Sequence, residues 1–175
     1  MLKLIALSLT LFCLPLSAQA QMSKSLKGLS RALVIVTVDE VLQKTTVDEK
    51  AIRTSVEFKL RSTGLQVVDL SDLKTLKDLR QPDIPIIGVG VESLKIEGEE
   101  IYCYIVKITV TDAARQERQK ADLFYPVVWH NDIMGYAGGA RLSTIKDAVD
   151  QQADSFCNDY LIANPKPSPV APNVP

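Results

Sequence analysis

The stretch Arg31 to Val41 carries the run Ala-Leu-Val-Ile-Val-Thr-Val-Asp-Glu-Val, β-branched and almost continuously apolar. A strand on a wet surface would alternate apolar with polar. This one reads as a central strand, covered on both faces or nearly so. From Thr45 to Thr63 the period changes: Val47, Ala51, Ile52, Val56 and Leu60 recur at helical spacing, with charges between them, and the pattern stops at Gly64. That is an amphipathic helix with a glycine at its C-terminal stop. Leu65 to Asp69 follows as a short second strand, so strand, helix and strand form a right-handed crossover.

The rest of the chain extends this unit. Ser71 to Arg80 places Leu73, Leu76 and Leu79 in helical register behind a Ser71 cap, before Pro82 and Pro85 interrupt it. Ile84 to Ile96 and Ile101 to Val110 are two strands joined at Glu97-Gly98-Glu99-Glu100, a hairpin with its tight turn at the glycine. After the polar stretch Asp112 to Lys120, Asp122 to His130 reads as a fifth strand, which Pro126 places at a sheet edge or a bulge. A glycine-rich loop, Gly135 to Gly139, leads into a last helix whose Leu142, Ile145, Val149, Ala153, Phe156 and Tyr160 make one apolar stripe, ending at Asn164-Pro165. The order β-α-β-(α)-β-β-β-α predicts an α+β fold: two layers, a mixed five-stranded sheet with two long helices on one face.

The ends of the chain read differently. Lys3, the apolar run Leu4 to Leu16 and Ala18-Gln19-Ala20 have the order of a secretory signal peptide over residues 1–20, with Gln21 as the first mature residue. Cys13 lies inside that run behind Thr10, Leu11 and Phe12 rather than small residues, so lipid attachment is not expected. Residues 21–163 are read as a single domain and 164–175, with its prolines, as a disordered tail. No other apolar stretch approaches the roughly 20 residues needed to cross a membrane. The expected location is periplasmic or extracellular.

Charge excludes one class of partner. The chain has 20 basic and 21 acidic residues, and removing Lys3 with the leader leaves a net of −2. A nucleic-acid binder needs a basic surplus to displace phosphate counterions, and none exists.

The candidate sites are sparse. Gly88-Val89-Gly90 lies inside a strand, lacks the third glycine of a dinucleotide fingerprint, which falls on Ser93, and has no helix behind it. Its glycines are expected to let the helix layer approach. The loop Gly135-Tyr-Ala-Gly-Gly-Ala-Arg141 precedes a helix N-terminus, where free amides and Arg141 would suit an anion, although the Lys-Ser/Thr of a phosphate loop is missing. His130-Asn131-Asp132 beside Trp129 is a poor zinc set, because the chain has one histidine and its cysteines lie far off in sequence. It reads as a strand end with Trp129 buried and His130 wet. No Gly-x-Ser-x-Gly elbow occurs, and a thiol enzyme would have to join Cys103 or Cys157 to His130. Glu97, Glu99 and Glu100 read as a solvated hairpin tip. No catalytic, metal or cofactor-binding residue is assigned. Cys103 and Cys157 meet only if the strand face carrying Cys103 is the helix-covered one; the face carrying Tyr102 and Tyr104 is the other candidate, and the sequence leaves the choice open.

Two segments, Val56-Glu-Phe-Lys-Leu-Arg-Ser-Thr-Gly-Leu-Gln-Val67 and Leu142-Ser-Thr-Ile-Lys-Asp-Ala-Val with Phe156-Cys-Asn-Asp-Tyr-Leu-Ile-Ala-Asn-Pro-Lys166, carry a resemblance. They are similar to an uncharacterised family of small exported bacterial proteins whose final helix ends in Phe-x-Asn-Asp-Tyr-Leu-x-x-Asn-Pro, with a Trp and glycines upstream, here Trp129, Gly135 and Gly138. The resemblance brings no activity with it. At Cys157 family members often have an aliphatic residue, which argues against a general disulfide. More loosely, the element order is similar to the amino-terminal domain of TolB and to periplasmic domains related to curli-secretion lipoproteins, which implies binding to other cell-envelope proteins. The expected function is a non-enzymatic exported protein-binding module. The alternative is a small-ligand or anion binder using the Gly135–Arg141 loop. An apolar patch exposed on the sheet would favour the first, and a deep pocket beside that loop the second.

Overall fold

The computed structural model describes residues 23–69, 84–116 and 119–165. The signal-peptide reading, the Ser71–Arg80 helix and nearly all of the Pro-rich tail lie outside them.

Strand β1 is Arg31–Val38. Asp39 ends it by turning its carboxylate onto two amides: Leu42 N–H at 2.8 Å, which opens the one-turn helix α1 (Glu40–Gln43), and Ser93 N–H across the sheet. The long helix therefore starts later than its apolar period suggests. Asp48 caps α2 (Glu49–Thr63), and Gly64, at φ +97°, closes it in the left-handed conformation that side chains avoid. Strand β2 (Gln66–Val68), β3 (Ile86–Lys95) and β4 (Ile101–Thr111) follow, the last two joined at Gly98 with φ +79°.

The region after β4 departs from the sequence reading. Pro126 splits the expected fifth strand into β6 (Gln119–Phe124), which pairs with β5 (Ala114–Gln116) in a separate ribbon, and β7 (Val127–Gly138). The glycines expected in a loop are strand residues: Gly135 pairs with Tyr104 and Gly138 with Ile101. A Cβ on Gly135 would stand 2.5 Å from the Tyr104 hydroxyl oxygen. The tyrosine ring lies across the glycine. Close packing within a ladder, not loop flexibility, explains this glycine. A single 3-10 turn, Gly139–Arg141, leads to α3 (Ser143–Ala163).

The main sheet has the order β2-β1-β3-β4-β7, with β1 parallel to β2 and β3 and the other pairs antiparallel. It is the mixed five-stranded sheet of an α+β fold. Helices α2 and α3 pack side by side on one face, α2 against β1 and α3 against β4 and β7. Ser55 and Lys59 of α2 reach Asp150 and Asp154 of α3 at 2.7 and 2.5 Å. Burial alone would raise the Asp150 carboxyl; hydrogen bonds from Lys146 and Ser55 outweigh it and hold the group below the usual range.

The stripe expected on the last helix is wholly buried, Leu142 through Tyr160. Its C-terminal half does more than fill space. Phe156 meets Trp129 of β7 edge to face at 5.1 Å, Asp159 accepts the Trp129 indole N–H at 2.9 Å, and Ser155 bonds Asn131. Tyr160 donates to the Leu29 carbonyl at 3.0 Å, while Asn164 donates to the Leu26 carbonyl and accepts from Gly28 N–H. Truncating either aromatic of the Trp129–Phe156 pair removes packing that nothing nearby can refill. Trp129→Ala and Phe156→Ala are each expected to cost about 3–5 kcal/mol, measured by urea unfolding. His130→Ala, at an exposed neighbour, should stay within about 0.5 kcal/mol.

Candidate functional site: the uncovered sheet face

In a strand, successive side chains point to opposite faces, so the helix layer divides each strand in two. On the covered side lie Val34 and Val36 of β1, Ile87, Val89 and Val91 of β3, Tyr102, Tyr104, Val106, Ile108 and Val110 of β4, and Trp129 and Ala137 of β7. The other side carries Ile35, Thr37, Glu92, Leu94, Cys103, Ile105, Lys107, His130, Asp132, Met134 and Tyr136. Among the described residues no helix packs against it. The two-faced burial expected for β1 therefore holds at Leu33, buried on both counts, but not at Ile35, which is 36% exposed, or at Thr37.

Register gathers the apolar members of this face. Leu94 pairs with Cys103 and Cys103 with Tyr136; one row on, Glu92 pairs with Ile105 and Ile105 with Met134. Leu94, Met134 and Tyr136 are 70%, 63% and 69% exposed, around the half-buried Cys103 and Ile105. Glu92, Lys107 and Asp132 border the patch. An apolar centre with a charged rim is the usual composition of a protein contact surface.

Toward β1 the face sinks. Gly88 and Gly90 point to this open side, not to the helices, which corrects the expectation that they admit the helix layer. They floor a hollow of about 180 Å³ flanked by Ile35, Thr37, Lys107 and Thr109. A Cβ on Gly88 would come within 2.9 Å of the Thr109 hydroxyl, whereas Gly90 has room for one.

The other sequence candidates separate. His130 and Asp132 are exposed on the open face, Asn131 points to α3, and Trp129 is buried; the wet histidine and buried tryptophan are as expected, but they lie inside β7 and not at a strand end. Glu97, Glu99 and Glu100 are exposed at the hairpin tip, with Glu100 2.6 Å from Lys95. Cys103 lies on the open face and Cys157 under the helix layer, so the sheet stands between two free thiols. The tyrosine face of β4 is the covered one. Gly135 to Gly138 lie in β7 and pair with β4, so the Gly135–Arg141 segment is not the loop before a helix N-terminus that the anion reading requires. A hollow of about 210 Å³ between the starts of α2 and α3 is lined by Leu142, Ser143 and Lys146 but by none of residues 135–141. A second of about 190 Å³ lies beside the turn at residues 25–31. All are smaller than the roughly 300 Å³ at which ligand pockets begin. Among the described residues no group of three or more His, Cys, Asp or Glu side chains could hold a metal ion, and no helix is long and apolar enough to cross a membrane.

The sequence reading missed Met134 and Tyr136 because it stopped the strand at His130. The signal was present: Trp129, Asn131, Ile133 and Ala137 alternate with His130, Asp132, Met134 and Tyr136 at period two straight through Gly135.

No family model matches the sequence, and no curated protein does. Solved structures similar to it include two PelC dodecamers from Paraburkholderia phytofirmans. One, a single-substitution form, has TM-score 0.42 and 12% identity, over 74% of this chain and 90% of that one; the other has 0.40 and 15%, over 74% and 87%. The hypothetical protein CT253 from Chlamydia trachomatis is similar at TM-score 0.40 and 6% identity, over 78% of this chain and 94% of that one.

Burial, then repulsion by Asp154, pushes the Cys157 thiol up to about 11. Since only the thiolate alkylates, Cys157 in the native protein should resist iodoacetamide until the pH approaches that value, while both Cys103 and Cys157 label in the denatured, unreduced chain. Peptide mapping checks this. A Cys103–Cys157 linked peptide would contradict the placement of the two residues on opposite sides of the sheet.

Proposed function

We propose that the chain is a non-enzymatic, exported protein-binding module of the cell envelope, and that the uncovered sheet face is its contact surface. The observation that carries this is the patch of Leu94, Met134 and Tyr136 around Cys103 and Ile105. Single exposed apolar residues are ordinary on protein surfaces; a contiguous group on a flat face with a charged rim is the signature of a partner site. Export rests on the leader-like order of residues 1–20. The resemblance of the Phe156–Pro165 phrase to small exported bacterial proteins, and the looser likeness of element order to the TolB amino-terminal domain, support an envelope partner. No observation favours the anion-binding alternative at Gly135–Arg141.

Leu94→Lys should abolish co-purification of the envelope partner while leaving the melting temperature unchanged. Phe58→Lys, which removes the most exposed large apolar side chain of the helix layer at 73%, should leave co-purification intact. The reverse pattern would move the contact to the helix side and sink this reading.

A further inference from the structure

Strand β7 is an edge of the main sheet, and among the described residues nothing pairs with its outer side. The other edge, β2, is three residues long; β7 has twelve. Proteins usually blunt such an edge with lysine, proline or a bulge, and between His130 and Gly138 β7 has none of these.

The direction of its free groups follows from one bond. Gly139 N–H donates to the Glu100 carbonyl, and hydrogen-bonded pairs alternate along an antiparallel ladder. Counting back through the register, Tyr102–Ala137, Tyr104–Gly135 and Val106–Ile133 exchange bonds, so the amides and carbonyls of Asp132, Met134, Tyr136 and Gly138 point outward. The early part of the edge is already occupied. Ser25 donates to the Val128 carbonyl, and the Asn131 side chain takes the Asp132 amide. What remains open is the segment from Met134 to Gly138, whose exposed side chains are the apolar Met134 and Tyr136.

We propose that two copies of the chain pair antiparallel through this segment, about a two-fold axis at Gly135. In that register Met134 of one copy lies opposite Tyr136 of the other, and each finds the outward amide and carbonyl of its mate. Ile133 falls opposite Ala137 on the covered side. Gly135 meets its own copy at a non-hydrogen-bonded position, where strands come closest, roughly 4.5 Å between Cα atoms. A side chain there would already collide with Tyr104. Charge disfavours a register centred on Asp132, which would set two carboxylates face to face; an axis at Gly135 sets Asp132 opposite Gly138. A near-neutral chain asks for no oppositely charged partner, and the edge is complementary to itself. The apolar row Leu94–Cys103–Tyr136 then continues into Met134 of the second copy, across one unbroken sheet.

Sedimentation equilibrium of the protein over a wide dilution series tests this, together with Met134→Lys and Tyr136→Lys at the edge and Leu94→Lys on the same face but two strands inward. The expected result is a dimer whose dissociation constant rises at least about ten-fold in the two edge variants and is unchanged in Leu94→Lys. Amide hydrogen exchange on the unsubstituted protein reads the same edge without mutation. The Met134 and Tyr136 amides should be protected when concentrated and exchange freely when dilute. A monomer at every concentration, an assembly larger than two, or a dimer lost with Leu94→Lys and kept in the edge variants would overturn the proposal. Loss of envelope-partner capture in Leu94→Lys with dimerisation intact would support it, since Leu94 shares the open face but lies two strands in from the pairing edge.

Discussion

The structure depends on the seam between α3 and the elements it closes. Trp129 donates its indole N–H to Asp159 and packs against Phe156, which stacks in turn on Tyr160 at 6.2 Å. One turn further on, Tyr160 and Asn164 hold the backbone of residues 26–29. A hydrogen bond to a charged acceptor contributes about 1.5–3 kcal/mol and an aromatic pair about 0.5–1.5 kcal/mol beyond its buried area. The Tyr160 and Asn164 bonds join parts of the chain more than a hundred residues apart, and the Trp129 contacts tie the edge strand β7 to α3. The Phe-x-Asn-Asp-Tyr-Leu-x-x-Asn-Pro phrase is thereby explained without chemistry: Phe156, Asp159, Tyr160 and Asn164 are each used as fasteners.

Both long helices pack on one face, and among the described residues no helix packs on the other, where Leu94, Met134 and Tyr136 are exposed. That single asymmetry accounts for the separation of Cys103 from Cys157, for the tyrosines of β4 lying inward, and for an apolar group that the core does not absorb. Among the described residues, Lys59–Asp154 fastens the α2–α3 seam, and Glu92, Lys107 and Asp132 border the apolar patch.

The parts of the fold legible in the sequence were those governed by local periodicity. Val56 and Leu60 before Gly64, the stripe from Leu142 to Tyr160, and the hairpin about Gly98 all appear where the pattern puts them. The parts that were not legible depend on partners distant in sequence. Gly135 and Gly138 look like loop residues until β4 is placed beside them, and Gly88 and Gly90 look like seats for a helix until the sheet is given its two sides. The face of β4 that would be covered could not be chosen either, since Tyr102-Tyr104-Val106 and Cys103-Ile105 are both apolar enough to be core. Only the position of α3 decides it.

The closing phrase of the chain holds the fold, and we propose that the open face of the sheet does the binding. Measuring the unfolding free energy and the partner capture of Asn164→Ala side by side tests this most directly. Loss of the Leu26 and Gly28 bonds should lower stability by about 1–3 kcal/mol, with capture unchanged at temperatures where the variant remains folded. Full stability with capture abolished would place the binding at the helix end and contradict the account.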